Sequence, residues 1–297
     1  MSLIANLTYY DICWYFLLYS FLGWVVEVCY QAVTKAKIVN RGFLNGPVCP
    51  VYGLGALALL LLLSAFGMTN TVEANPLVLF GLGLVITTAI ELVAGWLLDR
   101  LFHARWWDYS AKPFNFRGYI CLEFSILWGL SVTFAGKVIH PFVQGVSVAL
   151  IPEKYGWPIL GVLYLVYFAD FVVTVCMLRG LDKRLAELDD IQRQMRVLSD
   201  RMSEQIGENA LEAAQKLQKA KVQRALGRAE LREDLEERRK ELAGNLQALR
   251  KQAEARYRTL YASRHFGVGR FLLAFPSMRH SRYDHIVKEL KDRFSQK

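Results

Sequence analysis

A chain of 297 residues with 54% hydrophobic side chains and a mean hydropathy of +0.21 is too apolar for an ordinary soluble protein. Its formal charge of +9 divides as +1 before residue 180 and +8 beyond it, an apolar membrane part followed by a basic soluble part. The five cysteines all lie in apolar segments without CxxC spacing, which reads as buried free thiols and sets metal and redox chemistry aside.

The opening MSLIANLTYYD has neither a basic n-region nor a small-residue cleavage site, so no removed signal peptide is expected. Five runs, 9–33, 48–66, 76–98, 118–140 and 158–179, are long enough to cross a hydrocarbon core, which takes roughly 20 helical residues. Loop charge orients them. Lys35, Lys37 and Arg41 follow the first run, and Arg100, Arg105, Lys112 and Arg117 follow the third. Segment 67–75 has no basic residue and 141–157 only Lys154. The expectation is a multi-pass cell-membrane protein with its N-terminus outside and its C-terminal part in the cytoplasm.

Beyond Arg179, Leu181, Leu185, Leu188, Ile191, Met195, Leu198, Met202 and Ile206 recur at spacings of three and four. The series resumes at Leu217 and continues through Leu231, Leu235, Leu242, Leu246, Leu249 and Ala253. This predicts a coiled coil over 181–262, as one helix of about 120 Å or as a hairpin bent at Gly207, Gly227 or Gly244. Homo-oligomerisation is the use such a seam suggests. Its basic residues interleave with acids and lack aromatic stacking partners, which argues against nucleic acid. Segment 264–276 mixes arginines with bulky apolar residues and reads either as an amphipathic membrane-surface element or as a hydrophobic knob packed on the coil or on a partner. A short polar helix is expected over 283–294. The fold class is all-α: a membrane domain over 1–180, a coiled coil over 181–262 and a terminal helical segment over 263–297.

The membrane part carries an internal echo. Gly23-Trp24-Val25-Val26-Glu27 is matched by Gly95-Trp96-Leu97-Leu98-Asp99, and Asn40-Arg41-Gly42-Phe43-Leu44 by Asn115-Phe116-Arg117-Gly118-Tyr119-Ile120. Both copies start on an inward crossing, which predicts a parallel two-plus-two repeat with a fifth span leading to the tail. Ionisable residues within apolar spans are costly and mark functional sites. Glu27, Glu91 and Asp99 stand near the inner ends of their runs, Glu123 near the start of the fourth, and Asp170 by itself at mid-span. Arg41, Arg117, Asn45 and Asn115 flank the same level. Asn40, Gly42, Gly46, Pro47, Pro50, Gly53, Trp107 and Asp108 read as the structural residues of the two loops. In one account the acids pair with Arg41 and Arg117 and fix the loops beneath the bundle. In the other, acids and arginines line a cytoplasm-facing cavity; the excess of acid suits a cation or proton, and the arginines suit a phosphate or lipid headgroup. There is no GxxxxGK[ST], HExxH or GxSxG, so neither catalysis nor a cofactor is expected.

Gly23-Trp24 with Glu27, followed by Asn40-Arg41-Gly42-Phe43-Leu44-x-Gly46-Pro47-x-Cys49-Pro50-x-Tyr52-Gly53, resembles the ABC-transporter type IV (CmpB-like) membrane family. Glu91, Trp107-Asp108-Tyr109-Ser110, Pro113-Phe114-Asn115, Gly118, Cys121 and Trp128-Gly129 are similar to its second half, and Phe275-Pro276-Ser277 to the tail of its longer members. Val26 departs from the pattern, in which a second acid often precedes the position of Glu27. The resemblance spans about residues 10–180 and implies a transport permease. Because this chain has no P-loop, a separate ATPase subunit is the partner to expect. Two other functions are weighed beside it: a membrane-anchored scaffold or sensor recruiting partners through the coil, and an enzyme acting on lipid-linked substrates.

Overall fold

The computed structural model describes residues 2–4, 7–35, 38–68, 70–216, 224–263 and 267–295. The chain divides into two units, Met1–Asp182 with Ser263–Lys297, and Lys183–Ala262. Lys37, Leu217, Arg264, His265 and Phe266 lie outside the described residues.

In the first unit, the short antiparallel pair β1 (Ser2–Ile4) and β2 (Leu7–Thr8) leads into α1 (Tyr9–Lys35). A reciprocal cap starts α1: Thr8 Oγ1 accepts from the Asp11 N–H at 3.2 Å, and Asp11 Oδ2 accepts from the Thr8 N–H at 3.0 Å. α2 (Pro50–Ala65) follows, then α3 (Pro76–Phe102), whose first turn holds Pro76 and is capped by Asn75 accepting from Leu77 N–H at 2.9 Å. α4 (Leu122–Phe134) continues through one π-helical turn (Ala135–Ile139) into α5 (His140–Leu150). Lys137, on that turn, donates to the Val72 and Ala74 carbonyls, and Thr71 Oγ1 donates to Gly136 O at 2.7 Å. These bonds fasten the segment between α2 and α3. α6 (Glu153–Lys216) then runs without a break past Arg179, where the composition turns from apolar to charged.

Four of these helices are long and apolar enough to cross a membrane: Tyr9–Thr34, Pro76–Phe102, Leu122–Gly145 and Glu153–Glu204. Five crossings are expected from the sequence, and the second is where the structure differs. Pro50 opens α2 and the 40–49 approach is loop, so only 16 helical residues remain. They rise about 24 Å against a hydrocarbon core of roughly 30 Å. Residues 118–121 of the expected fourth run form a turn and a short strand before α4.

α1 packs chiefly on α2, and α3 on α4, with α2 and α3 joining the two pairs. Leu59, Leu63, Leu79 and Ile86 form the seam between them, with Val132 against it. Tyr10 and Trp14 of α1 pack on Leu160 of α6, while Tyr15, Leu60 and Val143 join α1, α2 and α5. The C-terminal segment belongs to this unit. α8 (Val268–Ala274) buries Phe271, Leu272 and Ala274, and α9 (Asp284–Ser295) buries Ile286, Val287, Leu290 and Phe294 at helical spacing. Over its described part, segment 264–276 packs within the first unit, a setting that neither expectation named.

In the second unit, α7 (Arg224–Ala262) returns beside the distal part of α6 as a helical hairpin. Gln192 Nε2 donates to Tyr257 Oη at 3.0 Å, and Arg256 pairs with Glu187 at 3.2 Å. Helix α6 is continuous through Gly207 and α7 through Gly227 and Gly244, so none of these glycines breaks its helix; residues 217–223 lie outside the described residues.

Candidate functional site

The loop between α1 and α2 is folded by its own side chains. Asn40 Oδ1 accepts from the Gly42 N–H and from Trp24 Nε1, both at 2.9 Å, while Asn40 Nδ2 donates to Asn45 O at 2.7 Å. Val48 N–H donates to Gly46 O at 2.8 Å, a three-residue turn centred on Pro47. Gly53 is dictated by close approach: a Cβ there would stand 2.6 Å from the Phe16 carbonyl oxygen of α1. From the other side, Asp170 of α6 receives the loop. It accepts from Gly46 N–H at 2.7 Å, Asn45 N–H at 3.2 Å and Asn45 Nδ2 at 3.0 Å. Thr174 Oγ1 also accepts from Asn45 Nδ2, at 3.0 Å. The expectation that Asp170 stands alone is corrected; an acid on a span can be satisfied by backbone amides as well as by cations.

Beneath this loop lies an acid–arginine–tyrosine group. Arg41 Nη1 is 3.1 Å from Glu27 Oε2, and Tyr52 Oη donates to Glu27 Oε1 at 2.8 Å. The second half builds the same chemistry around Asp99. Arg105 Nε lies 2.8 Å from Asp99 Oδ2, and Tyr119 Oη donates to that oxygen at 2.6 Å. The cation is Arg105, not Arg117. Arg117 is exposed, adopts φ 51°, and lies over the Phe116 ring at 5.8 Å. The sequence echo aligned Arg117 with Arg41, but the insertion around Trp106 puts Arg105 closer to Asp99.

The second loop uses the remaining expected residues. Trp107 Nε1 donates to Tyr119 O at 2.8 Å. Asn115 Nδ2 donates to Lys112 O at 2.7 Å, and its Oδ1 accepts from Gly118 N–H at 3.1 Å, closing the turn between β4 (Asn115–Phe116) and β5 (Ile120–Cys121). Asp108 accepts from Ser110 and, at 2.9 Å, from Arg279. Burial pushes its carboxyl up, but the Ser110 and Arg279 hydrogen bonds outweigh that and hold it below the ordinary range. Glu123 is 58% exposed and pairs with Lys112 at 2.9 Å, on the surface rather than within a cavity.

Glu91 is the exception. Tyr109 Oη donates to its Oε1 at 3.1 Å, its Oε2 is buried, and no cation lies within 4 Å among the described residues. Burial first, then the Glu91 carboxylate, holds the Tyr109 phenol far above its usual range; Glu27 acts on it in the same direction. The two acids therefore share one neighbourhood. Tyr52, which bonds Glu27, also packs edge-on to Trp128 at 5.7 Å.

The C-terminal segment reaches both loops. Arg270, 1% exposed, donates from Nη1 to Asn40 O and Gly42 O at 2.9 and 2.8 Å, and from Nη2 to Phe43 O at 3.2 Å. Burial pushes its guanidinium down to about 10. β6 (Arg279–His280) pairs with β3 (Ala104–Arg105), and Ser281 N–H donates to His103 O at 2.8 Å. Phe271 and Phe275 pack edge-on to Trp106 at 5.9 and 6.4 Å. Tyr52, Tyr109, Arg105, Arg270 and Arg279 are the residues that sequence reasoning passed over. Tyr52 and Tyr109 lay inside the Cys49–Gly53 and Trp107–Ser110 strings, where a phenol two residues from a loop turn was the available signal.

No group of three or more His, Cys, Asp or Glu side chains suited to a metal occurs among the described residues. No curated protein and no solved structure matches the chain. A family model described as "Putative ABC-transporter type IV" matches residues 14–175, more than half of the chain, with both loops and Glu27, Glu91, Asp99, Asp108, Glu123 and Asp170 inside the match. The chain is a membrane protein of that ABC-transporter-type family.

Proposed function

We propose that this protein is the permease-type membrane component of a transporter, working with a separate ATPase subunit. A polar site around Glu91 and Glu27 on the side of the α1–α2 and α3–α4 loops would take a cation or a proton. One observation carries the reading: Glu27, Asp99 and Glu123 each have a cation, and Asp170 has amides, but Glu91, among the described residues, has only the neutral donors Tyr109 and Trp128. An uncompensated carboxyl in an apolar helix is expensive to keep. A passing cation or proton would supply the missing charge, and Tyr109 and Tyr52 give that site hydroxyl groups.

In this reading α2 is the fifth crossing, spanning a locally thin region, and the loop charges put the N-terminus outside and the helical hairpin in the cytoplasm. The site faces the cytoplasm. The apolar seam of the hairpin serves a coiled coil, within one chain or between copies. The test is Glu91→Gln in cells lacking the native chain, with an untargeted comparison of small-molecule contents. The reading predicts that the variant is produced and folded but leaves the contents as in cells without the protein. Full restoration by Glu91→Gln would contradict it.

A second reading, a membrane-anchored scaffold or sensor, is favoured by Lys183–Ala262 forming a compact unit of its own. Removing 183–262 and closing the gap with a flexible linker discriminates. The permease reading predicts retained restoration, the scaffold reading its loss.

A further inference from the structure

The β4–β5 hairpin presents two large aromatics to the outside of the unit. Phe114 is 82% exposed and Phe116 54% exposed, and both Phe114 and Arg117 hold φ 51°. The left-handed region is unfavourable for a bulky side chain. A folded chain that keeps a phenylalanine both strained and uncovered needs an environment that receives it. The hairpin's position names that environment. Leu122 N–H donates to Phe114 O at 3.3 Å, which sets Phe114 beside the first turn of α4. The outward residues of α4, Leu122, Ile126, Leu127 and Leu130, are exposed and apolar, as a lipid-facing stripe must be. Phe114 thus extends that stripe past the helix end.

The charge around it is complementary to phosphate. Arg117, exposed on the hairpin, has no carboxylate within 4 Å among the described residues. Arg117 lies over the Phe116 ring at 5.8 Å, so aromatic and guanidinium form one unit. We propose that the β4–β5 hairpin is an interfacial anchor: Phe114 and Phe116 enter the hydrocarbon edge of the nearer leaflet, and Arg117 binds the phosphate of an anionic phospholipid. This stands independently of the transport reading, since among the described residues no hydrogen bond or ion pair joins Phe114, Phe116 or Arg117 to Glu27 or Glu91.

The experiment uses the full chain with Cys29→Ala and Cys176→Ala, labelled with an environment-sensitive fluorophore at Phe114→Cys. It is reconstituted in phosphatidylcholine vesicles with and without about one third phosphatidylserine. The anchor predicts quenching by a shallow lipid-borne nitroxide that exceeds quenching by aqueous iodide by roughly twofold or more. Adding Arg117→Gln is expected to lower the nitroxide quenching in the phosphatidylserine vesicles alone. A separate Phe116→Cys label repeats the measurement, and decides it should Phe114→Cys fail to fold. Iodide quenching without nitroxide quenching at both positions, as for a hairpin in water or against another protein, would overturn the anchor. An Arg117→Gln variant with unchanged phosphatidylserine dependence would overturn its phosphate-binding part.

Discussion

Arg270 Nη1 donates to the Gly42 carbonyl over 2.8 Å, joining positions 228 residues apart in the chain. The same guanidinium reaches Asn40 and Phe43, while its neighbour Phe275 lies under Arg41 at 5.6 Å. The segment that closes the sequence thus holds the loop that supplies Arg41 to Glu27, and through β6 and Arg279 it also holds the loop that supplies Arg105 to Asp99. A membrane part truncated near residue 180 would lack both supports.

Arg270→Ala is predicted to destabilise the first unit by roughly 3 kcal/mol, because it leaves three carbonyls without their charged donor in a buried place. Arg270→Lys restores one or two of the bonds and is expected to recover part of the loss. Thermal unfolding in nanodiscs, followed by tryptophan emission, measures both. A melting temperature unchanged by Arg270→Ala would remove the arginine from the fold's support.

The second prediction concerns which arginine serves Asp99. A double-mutant cycle between Asp99→Asn and Arg105→Met should give a coupling of about 1 kcal/mol, modest because the arginine is one-third exposed. The cycle with Arg117→Met should give none. Equal coupling to both would restore the pairing that the sequence echo suggests.

Close packing of α1 on α2 gives a third. A Cβ on Gly23 would stand 2.2 Å from Tyr52 Cγ, whereas one on Gly81 meets nothing within 4 Å. Gly23→Ala is expected to cost about 1–3 kcal/mol and to push the Tyr52 hydroxyl off Glu27. Gly81→Ala is expected to be neutral or stabilising, since alanine suits a helix better. Matching melting temperatures for the two variants would contradict the packing.

His280 is predicted to make the C-terminal docking sensitive to pH. Its Nδ1 accepts from the Tyr283 N–H at 3.1 Å, and its Nε2 lies 2.9 Å from Asp182. Burial lowers its pKa below the ordinary 6.5, with His103 and Arg282 acting the same way and Asp182 opposing them. A group depressed in the fold is neutral there and takes its proton more readily when unfolded. The stability tied to neutrality is therefore full above about pH 6.5 and is lost as pH falls through the lower folded value. Acidifying from about pH 7.5 to about pH 5.5 should lower the melting temperature of the native chain more than that of His280→Gln. Parallel pH profiles would exclude His280 as the cause.

Much of the fold was legible because its signals are local. Hydropathy marked α1, α3 and α6, and the prolines and glycines of residues 40–53 marked a built loop. The start of α2 was placed two residues early because apolar composition continues through Val48 and Cys49, while Pro50 sets where the helix can begin. The candidate site was legible in its acids and opaque in their partners. Glu27, Glu91, Asp99 and Asp170 stand out against apolar neighbours, but a cation two turns away competes with one twelve residues further on, and only the folded loop chooses Arg105. Arg270 was least legible of all: it lies beyond the hairpin, in a segment whose mixture of arginine and phenylalanine fits a membrane surface as well as a protein groove.

As proposed, this chain serves as a permease beside a separate ATPase. That role is tested most directly by isolating the full chain from its native membrane in mild detergent and identifying bound proteins by mass spectrometry. The claim predicts an ABC-type ATPase that remains bound when residues 183–262 are removed. Recovery of the chain without any ATPase, or with partners that are all lost on removal of that hairpin, would contradict it.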